Sequence, residues 1–77
     1  MLGRRQKEAR KEIRLERYWC NGSAEYEYRL VEYAFDKKGH LLRYKDGEPQ
    51  RYYLGTGDKE WSRKIAKHYG LSVVEAE

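Results

Sequence analysis

Residues 24–35 read Ala-Glu-Tyr-Glu-Tyr-Arg-Leu-Val-Glu-Tyr-Ala-Phe, and this stretch decides the fold class of the 77-residue chain. Aromatic and aliphatic residues alternate with charged ones, which is the period-two pattern of a β-strand. The apolar parity changes between Leu30 and Val31. That change predicts a bulge or a strong bend in the middle of the strand.

Turn sequences downstream divide the chain into further short strands. Asp36-Lys-Lys-Gly39 and Asp46-Gly-Glu-Pro49 are rich in the residues that favour turns. Between and after these turns, apolar and basic residues alternate again. The sequence therefore predicts a three-stranded antiparallel meander over residues 24–35, 40–45 and 50–54.

A helix is predicted after the third strand. Asp58 is a good N-cap and Gly70 a good residue to end the helix. Its apolar stripe is expected to pack on one sheet face, through Trp61, Ile65 and Tyr69. Residues 71–74 have the composition of a short additional strand.

Upstream of the meander, residues 3–19 hold no proline and no internal glycine and are rich in Arg, Lys, Glu, Ala and Leu. This composition favours a helix. The predicted fold class is therefore α+β: residues 1–20 form a basic N-terminal helix or arm, and residues 21–77 a single small β-β-β-α domain.

The net charge is concentrated at the N-terminus. Residues 1–20 hold seven basic residues and three Glu, a balance of +4, whereas the rest of the chain holds ten basic and ten acidic residues. On a helical wheel the cations share one side and face away from Glu8, Glu12 and Glu16. A cationic side of this kind predicts phosphate binding, although a solvated helix face with Arg–Glu pairs is the alternative. The predicted phosphate contacts are Arg4, Lys7, Arg10, Lys11, Arg14 and Arg17.

The predicted meander supplies a second basic surface. On one hairpin register, Arg43, Lys45, Arg51 and Tyr53 would share a sheet face. Such a face can enter a DNA groove or stack unpaired bases. An ordinary solvated face would have a similar composition, so both interpretations stay open.

No catalytic or metal-binding pattern emerges. His40, His68 and Cys20 match no zinc spacing, and no cofactor, metal or catalytic group is expected. We see no secretion signal and no transmembrane segment, so we expect a cytoplasmic protein without a membrane partner. Abundant Lys, Glu and Arg with few amides is typical of hyperthermophile proteins and suggests an archaeal or viral source.

The order strand, strand, strand, helix over residues 24–70, with a basic sheet face, resembles the DNA-reading domains of tyrosine-recombinase arm-binding and plant AP2-type proteins. Tyr28-x-x-Val31, Gly39-x-Leu41 and Tyr52-Tyr-Leu-Gly55 are similar to hairpins of small uncharacterised archaeal and viral proteins. The first resemblance implies that the sheet lies in the major groove. Its implied base readers are Arg43, Lys45, Arg51 and Tyr53. Glu25, Glu27 and Glu32 on the first strand depart from that pattern.

The sequence thus predicts a non-enzymatic protein that binds nucleic acid, with DNA and RNA both open. Two alternatives remain. One is an RNA-bound accessory protein of a ribonucleoprotein such as the ribosome. The other is a protein-interaction or inhibitor module that uses its tyrosine-rich surface.

Overall fold

The fold is a four-stranded mixed sheet with one helix on it, seen in a computed structural model that describes residues 9–76. Its elements in chain order are β1 (Arg10–Cys20), β2 (Glu25–Phe35), β3 (Arg51–Gly57), α1 (Lys59–Tyr69) and β4 (Val73–Glu75). Among these residues, no helix is long and apolar enough to cross a membrane.

The prediction of an N-terminal helix is wrong for the part of residues 1–20 that the structure describes. Arg10–Cys20 is a strand whose eleven residues all pair with β2, from Arg10 opposite Phe35 to Cys20 opposite Glu25. Helix propensity is a weak preference of less than ~1 kcal/mol per residue, and the partner strand overrides it. Arg4 and Lys7 lie outside the described residues.

The predicted three-stranded meander is also wrong. The strand order is β3-β2-β1-β4, with β3 antiparallel to β2 and β4 parallel to β1. Residues 40–45 form no regular strand. They contribute only the isolated bridges Phe35–Leu41 and Arg43–Pro49, because two turns take up most of the connection.

Other expectations are confirmed. The register of the β2–β3 pair shifts between Leu30 and Val31, where the change of parity predicts a bulge. In α1, the Asp58 side chain accepts a hydrogen bond from the Trp61 amide at 2.9 Å. Gly70 ends the helix in the left-handed conformation, with φ 67°.

Two clusters of buried hydrophobic residues lie on the two sheet faces, and one of them lies between α1 and the face that we call the helix face. The helix face carries the odd-numbered residues of β1 and the even-numbered residues of β2. Leu15, Tyr28 and Leu30 are buried there, and the residues of α1 and its C-terminal extension that pack on them are Trp61, Ile65, Ala66 and Leu71. Tyr69, expected on the same stripe, is 48% exposed.

Two glycines of β3 make room for the Trp61 ring. A Cβ atom added at Gly57 would lie 2.5 Å from Trp61 Cγ, and one at Gly55 would lie 3.2 Å from Trp61 Cζ2. The indole therefore rests directly on the β3 backbone. This contact requires glycine at position 57 for reasons of space rather than of backbone angle.

We expect Gly57→Ala to destabilise the fold by about 1–3 kcal/mol, because the new methyl group must push Trp61 off the sheet. Gly22→Ala is the matched control, since the nearest atom to its Cβ is Cys20 Sγ at 4.0 Å. The control should stay within about 0.5 kcal/mol of the parent. Thermal and urea unfolding measure both, and equal stability of the two variants would contradict the packing described for Trp61.

Candidate nucleic-acid interface

The sheet face opposite α1 is rich in arginine. Even-numbered β1 residues and odd-numbered β2 residues point to it, and so do Arg51 and Tyr53, which pair with Tyr33 and Val31. We call this surface the arginine face. Its charged residues and its tyrosines outside the buried cluster are Arg10, Glu12, Arg14, Glu16, Tyr18, Glu25, Glu27, Arg29, Arg51 and Tyr53.

Guanidinium groups and Leu41 of the connection between β2 and β3, rather than a second helix, lie against the apolar residues of this face. The Arg10 guanidinium carbon lies 4.1 Å from the centre of the Phe35 ring, and that of Arg14 lies 4.7 Å from the Tyr33 ring centre. Tyr33 and Phe35 are buried beside Val31. Arginine suits this position because its planar cation stacks on a ring and is weakly hydrated.

Glu12 joins two of the arginines. Its carboxylate accepts from Arg10 Nη1 at 3.2 Å and from Arg14 Nε at 2.5 Å. The hydrogen bond from Arg14 is the main reason why the pKa of Glu12 is lowered, and it raises the pKa of Arg14 in turn. Glu12 therefore holds both guanidinium groups in place, and most of their N–H groups are not used by Glu12.

Glu16 is buried beneath the centre of the arginine face and binds two of its side chains. Its side chain is 2% exposed, and it accepts from Arg29 Nε at 2.8 Å and from the Tyr33 hydroxyl. Burial, followed by this bond to Glu16, raises the pKa of Tyr33, so its hydroxyl remains a donor. A buried carboxylate with two fixed donors holds Arg29 in one orientation.

Two tyrosine rings flank the guanidinium group of Arg29, whose side chain is 15% exposed. The Arg29 guanidinium carbon lies 5.2 Å from the centre of the Tyr18 ring and 5.4 Å from that of Tyr53, and Arg51 lies 5.9 Å from the Tyr53 ring centre. Tyr53 is 51% exposed. The site thus offers an aromatic ring for stacking between two cations.

The strand geometry rearranges the residues that the sequence predicts for binding. Arg10, Arg14, Arg51 and Tyr53 are brought together on the arginine face. Lys11 and Arg17 have the opposite parity and point to the helix face. The single cationic side expected of a helix is therefore divided between two faces.

Strand pairing does not place Arg43 and Lys45 on the arginine face, because both residues lie outside the regular strands. Both are exposed in the connection between β2 and β3, and Arg43 Nη1 donates to the carbonyl oxygen of Gly47 at 2.8 Å. The predicted cluster of four readers on one hairpin is thus reduced to Arg51 and Tyr53.

Two members of the arginine face lie outside the site that the sequence predicts. Arg29 falls in a predicted strand with no role assigned, and Tyr18 falls in the predicted helix. The signal for both was the turn pair Asn21-Gly22, which favours a hairpin between 10–20 and 25–35.

Residues 9–76 contain no group of three or more His, Cys, Asp or Glu side chains placed to hold a metal ion. Comparison of the chain with protein-family models, curated proteins and solved structures gave no match.

Replacing Glu16 by Gln should cost about 3–5 kcal/mol of folding stability, because it leaves the largely buried Arg29 without its counter-charge. Glu12→Gln is the control. Its carboxylate is 39% exposed, so the loss should be no more than about 1 kcal/mol. Chemical denaturation of both variants measures the difference. A Glu16→Gln variant as stable as Glu12→Gln would contradict the anchoring role of Glu16.

Proposed function

We propose that the protein binds single-stranded nucleic acid on the arginine face. The observation that carries this proposal is the placement of four arginines and two tyrosines on the sheet face opposite α1. The arginines would hold phosphates, and Tyr53 would stack a base.

The charge balance of the face favours an anionic ligand. Away from the hairpin end of the face, Arg10, Arg14, Arg29 and Arg51 outnumber Glu12 and Glu16, an excess of two cations (four minus two), whereas Glu25 and Glu27 offset this excess at the hairpin end. Glu16 is buried beneath the surface, where it pairs with Arg29. Arginine suits phosphate because its N–H groups match two phosphate oxygens at once.

The exposed ring of Tyr53 favours nucleic acid over other polyanions. A tyrosine that is half exposed between Arg29 and Arg51 stacks on any base, and such a contact is worth about 1–3 kcal/mol. Simple polyanions such as heparin have no base to stack there.

The position of the arginine side chains favours a single strand over a duplex. Arg10 and Arg14 lie on the rings beneath them instead of extending into a groove. Glu25 and Glu27 have the same parity at the hairpin end, so they bound the cationic area on that side. A single strand can follow a cationic area of this limited size with its bases turned toward the protein.

We further propose that the protein acts in a reducing compartment such as the cytoplasm. Cys20, the one cysteine of the chain, is a free thiol. Proteins kept in reducing compartments usually carry unpaired thiols of this kind.

The double variant Arg10→Gln, Arg14→Gln should bind a single-stranded ten-mer more weakly, because two phosphate contacts are lost. The slope of log K against log salt should become shallower by about 1.4, since each contact with a single strand contributes about 0.7. Fluorescence anisotropy over a salt series, with labelled DNA and RNA, measures both affinity and slope.

The matched control removes the same charge from α1 through Lys59→Gln and Arg63→Gln, two exposed positions. Its salt slope should equal that of the parent. If both double variants lose the same affinity, net charge alone explains binding and the arginine face is not the site. Binding to neither DNA nor RNA would contradict the proposal altogether and leave the tyrosine-rich surface to a protein partner.

Tyr53→Ala should weaken binding to the ten-mer by about 1–3 kcal/mol and leave binding to heparin unchanged, because only the nucleic acid stacks on the ring. Tyr69→Ala, which removes a ring of similar exposure from α1, should change neither affinity. Equal losses toward heparin and the ten-mer would show that Tyr53 acts through structure rather than through stacking.

A further inference from the structure

A cleft of about 310 Å³ opens where the connection between β2 and β3 meets the sheet, on the side of Glu32 and Tyr52. Glu32 and Tyr52 are paired residues on neighbouring strands, so both point to the same face. This parity is that of the helix face, which Lys11 and Ala34 share, while Tyr33 and Arg51 also line the cleft where it borders the arginine face. Its volume is at the low end of the range for small-molecule sites.

The cleft combines rings with a small number of polar groups. Tyr44 and Tyr52 line it and are 58% and 67% exposed. Gln50 also lines it, and its Nε2 atom donates to the carbonyl oxygen of Arg43 at 3.2 Å, which fixes the amide. Flat rings around fixed polar groups are the usual means by which proteins hold an unpaired base.

The carboxylate of Glu32 indicates which base fits. It offers two acceptor oxygens side by side, and Lys11 Nζ lies 3.7 Å from one of them. Guanine is the standard base whose pairing edge carries two adjacent N–H donors next to a carbonyl oxygen. A carboxylate with an ammonium group beside it is complementary to that edge.

The existing ion pair does not prevent such binding. The side chains of Lys11 and Glu32 are 55% and 27% exposed, and an ion pair at this distance on the surface is weak. A base edge that donates two hydrogen bonds to Glu32 would replace a loose contact with a bidentate one.

The cleft is also within reach of a strand bound to the arginine face. Tyr52 and Tyr53 are consecutive residues of β3, so their side chains point to opposite faces of the sheet. β3 is an edge strand. One nucleotide stacked on Tyr53 can therefore be followed by a neighbour that crosses the edge toward Tyr52.

We propose that this cleft binds a guanine base, with Glu32 accepting from its N1–H and 2-amino groups. The proposal rests on the proposed binding of single-stranded nucleic acid, to which it adds a base preference. In this proposal the rings of Tyr44 and Tyr52 contact the base, and the carboxylate of Glu32 determines which base is preferred.

The test uses thymine ten-mers with one central guanine, adenine or hypoxanthine, the last of which lacks the 2-amino group. The full chain should bind the guanine oligomer about 10-fold more tightly than the adenine oligomer, with hypoxanthine in between. Glu32→Gln should abolish the preference and retain the affinity for plain thymine. Glu25→Gln, an exposed carboxylate on the same strand, is the control and should keep the preference.

Equal binding of the three oligomers, or a preference that survives Glu32→Gln, would overturn the guanine site and leave the proposed function intact. If no oligomer binds at all, the proposed function fails, and titration with guanosine monophosphate decides the cleft alone. Amide shifts at Glu32 and Tyr52 in that titration would support the cleft, and their absence would overturn it.

Discussion

The contact between Leu15 and Leu30, which pair across β1 and β2 in the cluster against which Trp61 packs, is the constraint on which the rest of the structure depends. A strand repeats every two residues, so a slip of one position would turn its side chains to the opposite face. With Leu15 held under α1, Arg14 and Glu16 must point away from the helix. The apolar core and the arginine face are therefore two consequences of one register.

The arginine face is built in layers. Val31, Tyr33 and Phe35 are buried against the sheet, guanidinium groups lie over the rings, and Glu12 and Glu16 fix the guanidinium groups from the side and from below. In this arrangement cations replace the second helix that would otherwise cover the sheet. The guanidinium groups that cover the buried rings are also the groups proposed to contact phosphate. The stability of the fold and the proposed function therefore depend on the same side chains.

The parts of the fold that depend on neighbouring residues alone could be predicted from the sequence. The caps of α1 and the bulge at Leu30 follow from residue types with few alternatives. Residues 10–20 were misassigned because Arg, Lys, Glu and Leu favour a helix locally, whereas pairing with β2 depends on distant residues. The connection 36–50 alternates like a strand, but turns closed by bonds from Gly39 to Asp36 and from Gly47 to Tyr44 take up its length. Charge and pattern predict Arg10, Arg14, Arg51 and Tyr53 as binding residues, and only the register shows that they share a face with Arg29.

The most direct test of the central claim is an amide and arginine Nε chemical-shift titration of the chain with a single-stranded ten-mer. We expect the largest shifts along the arginine face, at Arg10, Arg14, Arg29 and Tyr53, with α1 from Lys59 to Tyr69 unaffected. Shifts confined to α1, or no shifts at millimolar oligonucleotide, would show that the arginine face has a structural role and does not bind nucleic acid.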